Sequence, residues 1–427
     1  MNDLLDFMEN NTISSEFKDL FLRIESSKSS FFITGRAGTG KSTFLKYFAK
    51  NTKKKIVVLA PTGIAAINVG GQTIHSFFKF PPRIITDLSI KKIENNKIYS
   101  KIDCIIIDEA SMIRADIIDG IDKFMRLNGN DSKTPFGGVQ IILFGDLYQL
   151  PPVVNKAEYV FSNYYNSPYF FDSKSIKKIQ LKTIELKNVY RQNEEDFIKI
   201  LDQIRTGKIN DESLKLLNSR VLNSFSNNNI VLTCNNYHAK RINNYMIEKI
   251  NEKNFILNGE VTGEFREFPV EKDLKLKIGA KVMITINHPD FAYFNGSIGV
   301  IHKIEDKLIT VKLDSGFVGI EKYSYEKIKY DYDERKDKII SKIVGTFKQF
   351  PIKLAYALTI HKSQGQTFDE VIIDFGSGAF AHGQAYVALS RCKTLKGITL
   401  KRPIKHSDII VDKRINDFLS QKKIINE

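Results

Sequence analysis

The sequence predicts an α/β protein with two parallel-sheet domains and a β-rich insert in the second. Three observations predict it. Apolar runs of strand length alternate with helical stretches through the first 180 residues. The same alternation returns near residues 230–250 and 354–400. Between them, roughly Leu257–Phe350, apolar and polar side chains alternate singly, as half-exposed antiparallel strands require.

The elements follow in order. Strands are expected at Ser30–Thr34, Ile56–Leu59, Ile102–Ile107 and Gln140–Phe144, each apolar enough to be covered on both faces. Helices are expected at Ser42–Lys50 and Ala115–Leu127, and later strands at Ile230–Leu232 and Val371–Asp374. In the middle region Val282–Ile286, Gly299–Ile304 and Ile309–Leu313 alternate, with turns at Asn295-Gly296 and Asp314-Ser315-Gly316. They read as a small antiparallel barrel. The expected domains are 1–180, then 181–256 joined with 351–427, with 257–350 inserted.

Composition sets the outer bounds. A chain of 427 residues with 42% hydrophobic side chains suits two or three domains and excludes wholesale disorder. No run approaches the roughly 18 apolar residues of a spanning helix, so no membrane partner is expected. The N-terminus, MNDLLDFMENN, is acidic and resembles neither a secretory signal nor a transit peptide. Three cysteines without a CxxC pair argue against a disulfide framework or zinc module and fit a cytoplasmic location. The net charge of +15 is what a partner of phosphate backbones would carry, although a Lys-rich composition alone also produces it.

The strongest motif is Gly35-Arg36-Ala37-Gly38-Thr39-Gly40-Lys41-Ser42, followed by Thr43, placed between an expected strand and helix. Such a loop turns backbone amides toward phosphates at a helix N-terminus. Lys41 then neutralises β/γ oxygens, and the Ser42 hydroxyl ligates Mg²⁺. The run Ile105-Ile106-Ile107-Asp108-Glu109 ends a second strand in paired acids. Asp108 suits the metal, and Glu109 suits the base that activates water; as a bare pair they would equally cap a helix. A third strand leads into Gly145-Asp146-Leu147-Tyr148-Gln149-Leu150-Pro151-Pro152. There the neutral Gln149 can sense a γ-phosphate or its attacking water, or the loop is simply a tight turn.

These motifs together resemble the Pif-one (petite integration frequency) DNA helicases of superfamily 1. Ala60–Ala66 with Gly70–Phe77 is similar to their motif Ia, and Ser111–Arg126 to their signature helix. Asn188-Val189-Tyr190-Arg191-Gln192, Ala355–Thr367 and Tyr386–Arg391 are similar to motifs IV, V and VI. The resemblance implies two RecA-like P-loop NTPase domains, a wedge insert near 64–82 in the first, and an SH3-like barrel in the second. It implies an ATP- and Mg²⁺-dependent 5′→3′ DNA helicase that moves on single-stranded DNA and opens duplex, forked or structured DNA, working as a monomer. Alternatives are a RecD- or Dda-like helicase of the same branch, or a DNA-stimulated ATPase clamp that does not unwind.

The family also implies residue roles. Arg191 and Arg391 would be arginine fingers supplied by the second domain, each otherwise a surface ion pair. Tyr190 would stack on the base or serve the core, and Gly365 and Gln366 would line the nucleotide site. Pro61, Thr62, Gly63, His75, Ser76 and Phe77 would hold DNA in the first domain, and Thr359, His361, Lys362 and Ser363 in the second. Phe77, Phe78, Phe80, Pro81 and Pro82 would form a strand-separating wedge or anchor a loop. Asn295 and Gly296 could approach DNA, although Asn-Gly is first a hairpin signal. One departure stands out. The adenine-reading Gln common upstream of the P-loop in superfamily 1 is missing, because no Gln precedes Gln72. Only Asn2, Asn10 and Asn11 offer amides there, so base selection is expected to rest on backbone contacts and stacking.

Overall fold

The computed structural model describes residues 14–94, 97–154, 163–192, 194–222, 229–290 and 292–421. The chain divides into two compact units. One gathers the residues through Arg191 with 327–343 and those from Asp412 onward; the other comprises 192–326 and 344–411.

The first unit is built on β1 (Phe31–Gly35), β2 (Ile56–Ala60), β3 (Gln72–Thr73), β4 (Cys104–Ile107), β5 (Gln140–Phe144) and β6 (Lys182–Leu186). They form one sheet in the order β3-β2-β4-β5-β1-β6, and every pair is parallel. Residues 31–35, 104–107 and 140–144 are buried throughout, which is why these strands are uninterrupted apolar runs. Helix Lys41–Asn51 sets Phe44, Leu45 and Phe48 against Ile33, Ile106 and Phe144. Helix Ser15–Glu25, which the sequence reading did not anticipate, adds Phe17, Leu20 and Ile24 to this core. Its N-terminus is closed by the Ser14 hydroxyl, which accepts from the Phe17 amide at 3.3 Å.

Two distant stretches complete this unit. Within 327–343, the Tyr330 hydroxyl accepts from the Val58 amide at 3.1 Å and its ring meets Phe77 edge-on at 6.1 Å. The helix Lys413–Gln421 stacks Phe418 on Phe171 with ring centroids 4.5 Å apart, beside Phe170 and Phe32. The first unit therefore differs from the span expected for it. It continues past 180 because β6 pairs with β1, and it takes segments expected in the insert and in the second domain.

The second unit carries β7 (Ile230–Thr233), β8 (Phe255–Asn258), β9 (Glu260–Gly263), β10 (Asp273–Leu276), β11 (Lys281–Ile284), β12 (Ile298–Ile304), β13 (Leu308–Leu313), β14 (Gly316–Glu321), the start of β15 (Tyr323–Asp333), the end of β16 (Lys338–Gln349), β17 (Ile352–Leu354), β18 (Ala357–Thr359), β19 (Val371–Asp374) and β20 (Ile398–Leu400). Four of them make a parallel sheet, β18-β7-β19-β20. The insert runs past its expected end at 350, because β17 pairs with β11; it holds an antiparallel five-stranded sheet, β14-β13-β12-β11-β17, with β15-β16-β9 and β10-β8 as smaller sheets. The alternation in sequence is real burial: Ile309, Val311 and Leu313 of β13 point into a core with Val282, Ile301 and Ile320. Among the described residues no helix is long and apolar enough to cross a membrane.

Candidate nucleotide and strand-contact sites

The phosphate loop joins β1 to helix Lys41–Asn51, at the carboxyl end of the parallel sheet. Gly38 and Gly40 hold φ of 85° and 80°, the left-handed region that glycine enters freely. A Cβ at Gly38 would lie 2.5 Å from the Arg191 Cβ, so this turn tolerates no side chain. Thr39 is buried, with its hydroxyl donating to the Arg36 carbonyl at 3.0 Å. Lys41 Nζ donates to the Gly35 and Arg36 carbonyls at 2.7 and 2.8 Å, at the mouth of the loop. Ala37 is buried, whereas Ser42 is exposed at the helix start and Thr43 is half-buried beside it.

Asp108 and Glu109 leave the end of β4. Asp108 is 7% exposed, and burial pushes its carboxyl above the ordinary aspartate range against the nearby charges of Lys41 and Lys46. Its Oδ1 accepts from the Glu109 amide at 2.9 Å. Glu109 itself sits at φ 51°, a strained backbone for a residue with a side chain. The loop carrying Gln149 presses against this turn, with Gly145 backing onto the amides of Ala110 and Ser111. Gln149 is buried, and its backbone N–H donates to the Asp146 carbonyl at 2.9 Å. One buried carboxylate with an exposed hydroxyl is a donor set that suits a cation keeping most of its waters, as Mg²⁺ does. Among the described residues no cluster of three His, Cys, Asp or Glu offers a metal a fuller cage.

Arg191 requires a correction. It was expected from the second domain, yet it belongs to the phosphate-loop unit. The reason is the chain's return after β6: the Tyr190 amide donates to the Gly38 carbonyl at 2.9 Å and fixes Arg191 beside the loop. The Tyr190 and Phe17 rings both come up against Gly40. Asn188 Nδ2 donates to Glu16 Oε2 at 2.8 Å along the same edge. Sequence reasoning missed Glu16 and Phe17; the Ser14 cap opening an amphipathic helix was the available signal. Asn2, Asn10 and Asn11 lie outside the described residues.

In the second unit, Arg391 is buried at 1% exposure. Its Nε donates to the Val387 carbonyl at 2.9 Å, and another guanidinium nitrogen to the Ser390 hydroxyl at 2.9 Å. Gln192 donates to the Ser390 and Cys392 carbonyls, both at 3.1 Å, and braces the same turn. Gly365 has φ 80° with open space around it, and the Gln366 Oε1 is buried without a hydrogen-bond partner among the described residues.

The residues expected on DNA divide by exposure. In the first unit Thr62 and Ser76 are exposed, Pro61 and His75 half-buried, and Gly63 buried at the helix it opens. Thr62 also caps that helix by accepting from the Ala65 amide. Phe77 is not a surface ring. It is 4% exposed, Phe78 is 1% and Phe80 is 5%, packed on Tyr99 and Phe124. Of the two readings open for this segment, the described rings follow the loop anchor. In the second unit His361 and Lys362 are exposed, whereas Thr359 and Ser363 are buried, Ser363 donating to the Ile360 carbonyl. Asn295 and Gly296 form the hairpin turn, with φ 102° at Gly296 and the Asn295 amide donating to Asn287 Oδ1. Lys353, which the sequence reading passed over, lies near Lys362; burial and that neighbouring charge lower its pKa to about 8.

A six-stranded parallel sheet with a glycine-rich phosphate loop and a strand ending in Asp-Glu defines a P-loop NTPase. A family model for PIF1-like helicases matches residues 12–215, and one for the UvrD-like helicase C-terminal domain matches 354–397. The chain is 31% identical over 406 residues to the ATP-dependent DNA helicase Pif1 of Bdellovibrio bacteriovorus, covering 91% of this chain and 88% of that one. It therefore belongs to the PIF1-like helicase family. Bacteroides sp Pif1 in complex with ADP-AlF4 superposes with a TM-score of 0.87 at 36% identity, over 96% of each chain. A structure in which two coordinating Pif1 helicases unwind forked dsDNA gives 0.68 at 36% identity, covering 96% and 97%. The expectation of a monomer finds no support in that relative.

Proposed function

We propose that this chain is an ATP-dependent DNA helicase that moves 5′→3′ along single-stranded DNA and opens duplex or forked DNA. The observation that carries it is the joint placement of phosphate loop, Asp108–Glu109 turn and Gln149 loop on one sheet, in a member of a helicase family. Lys41 binds the β/γ oxygens as Gly38 and Gly40 open the loop to them. Glu109 takes the proton of the attacking water, and Gln149 orients that water without adding charge. Ser42 and Asp108 would hold Mg²⁺, which would supply further charge neutralisation on the phosphates. Arg191 and Arg391 stabilise charge on the transferring group. Thr62, His75 and Ser76 on one unit and His361 with Lys362 on the other hold the strand backbone. Alternation between these holds, driven by nucleotide state, advances the protein.

The test is unwinding of 5′-tailed, 3′-tailed and blunt duplexes with ATP and Mg²⁺, using Glu109→Gln as control. Opening confined to the 5′-tailed substrate is expected, with the variant binding ATP but turning over at least ~10²-fold more slowly. ATP hydrolysis stimulated by DNA without opening of any substrate would favour a clamp instead.

A further inference from the structure

In the parallel sheet of the second unit, three loops start at one level. Thr359 of β18 and Asp374 of β19 both pair with Thr233 of β7. The loops leaving these strands are therefore neighbours, about 4.8 Å apart at their origins. The first carries His361 and Lys362, both exposed. The second leads into helix Asn236–Glu248, whose first turn carries Tyr237, 72% exposed with the Arg241 guanidinium 6.0 Å from its ring centre. The third carries Phe380, 66% exposed.

These rings are held outward on fixed backbone. The Phe380 amide donates to Gln384 Oε1 at 3.0 Å, and the preceding Ala379 amide donates to Asp408 Oδ1 at 3.1 Å. The Asn235 side chain caps the helix by accepting from the His238 amide at 2.8 Å. Cys234 Sγ lies 3.8 Å from the Phe375 carbonyl oxygen and 4.0 Å from that of Gly378, which ties the second loop to the third. Two exposed aromatic rings with a guanidinium at one of them, adjoining a lysine-bearing loop, match what an unpaired strand needs. Each base has a π-face to stack, and the phosphates between need cations.

We propose that Tyr237 and Phe380 form a base-stacking platform for single-stranded DNA beyond the His361–Lys362 contact, with Arg241 taking a phosphate. The proposal rests on the helicase reading above and extends it by two aromatic contacts. The strand continues across the sheet edge from β18 toward β19, its bases on the rings.

The experiment is fluorescence anisotropy of the full chain with a labelled oligothymidylate of about 15 nucleotides, and with an abasic strand of equal length. Tyr237→Ala/Phe380→Ala should weaken oligothymidylate binding at least ~10-fold and leave abasic binding unchanged. Tyr237→Phe should bind as the parent does, since the ring is kept. The salt dependence should keep its slope in the double variant and become shallower in Arg241→Ala. Unchanged oligothymidylate affinity in the double variant would overturn the platform, and so would an equal loss on the abasic strand. The first of these, with the parent chain still binding and unwinding, would remove the rings from the strand and leave the helicase reading intact. A parent chain that binds no single strand would overturn both.

Discussion

Lys353 is a lysine whose folded pKa, about 8, lies below its ordinary value of 10.5 because burial and the Lys362 charge disfavour the ammonium form. Between those values the unfolded chain binds the extra proton, so this group adds stability as pH rises from about 8 toward 10. A strand phosphate held at the neighbouring Lys362 would reverse the preference and favour the charged lysine. Strand binding above pH 8 then takes up a proton, and single-strand affinity should fall between pH 7.5 and 9.5 by up to ~10-fold. Lys353→Met should bind more weakly at pH 7.5 and show a flatter profile in the same anisotropy titration; parallel profiles would remove Lys353 from the contact. Residues of this kind are illegible in sequence, since nothing in Ile352-Lys353-Leu354 says that β17 will half-bury the middle side chain beside another lysine. The phosphate loop was legible for the opposite reason. Its glycines answer a local backbone demand that is met within a few residues. Arg191 was misplaced because its neighbour Gly38 is reached only after β6 brings the chain back.

At the scale of elements, helix Ala115–Asn128 carries Asp116, Asp119 and Asp122 on its buried side. Each works as an anchor. Asp116 pairs with Arg114 and accepts from the Ile85 amide, and Asp122 pairs with Arg126. Asp119 accepts from the Tyr165 hydroxyl, the Ser175 hydroxyl and the amides of Lys174 and Ser175. Asp119→Ala leaves those donors without their acceptor, and unfolding by urea should show a loss of about 2–4 kcal/mol. A loss under ~0.5 kcal/mol would mean that water replaces the carboxylate. The stretch was recognisable as a signature of its family, but its task as a polar brace was not, because acids spaced three apart look like a solvated face. The Phe77–Phe80 run shows the converse ambiguity: clustered rings beside prolines suit a wedge or a core, and only packing on Phe124 decides. Strands of the parallel sheets were legible because burial on both faces forbids polar interruptions.

At the scale of the whole molecule, the first unit is assembled from three separated stretches of chain. Its last piece, helix Lys413–Gln421, does more than cover apolar surface. Asn416 Oδ1 accepts from the Tyr148 hydroxyl at 2.6 Å, next to Gln149 in the loop proposed to meet the nucleotide. Phe418→Ala should lower thermal stability by about 1–3 kcal/mol and reduce ATP turnover, because both the ring stack and the loop's support loosen. Calorimetry with steady-state kinetics would check it, and a stability loss at full turnover would confine the helix to packing.

The discontinuity also has a consequence during synthesis. Between Arg191 and Asp412 the ribosome must deliver about 220 residues. At ~5–20 residues per second that interval is roughly 10–45 s. Throughout it, Phe32, Phe170 and Phe171 wait without the ring that stacks on them. Each nascent chain therefore passes through a period in which its earliest-made unit displays an aromatic face, a target for holding chaperones and a site for mispairing with another chain on the same polysome.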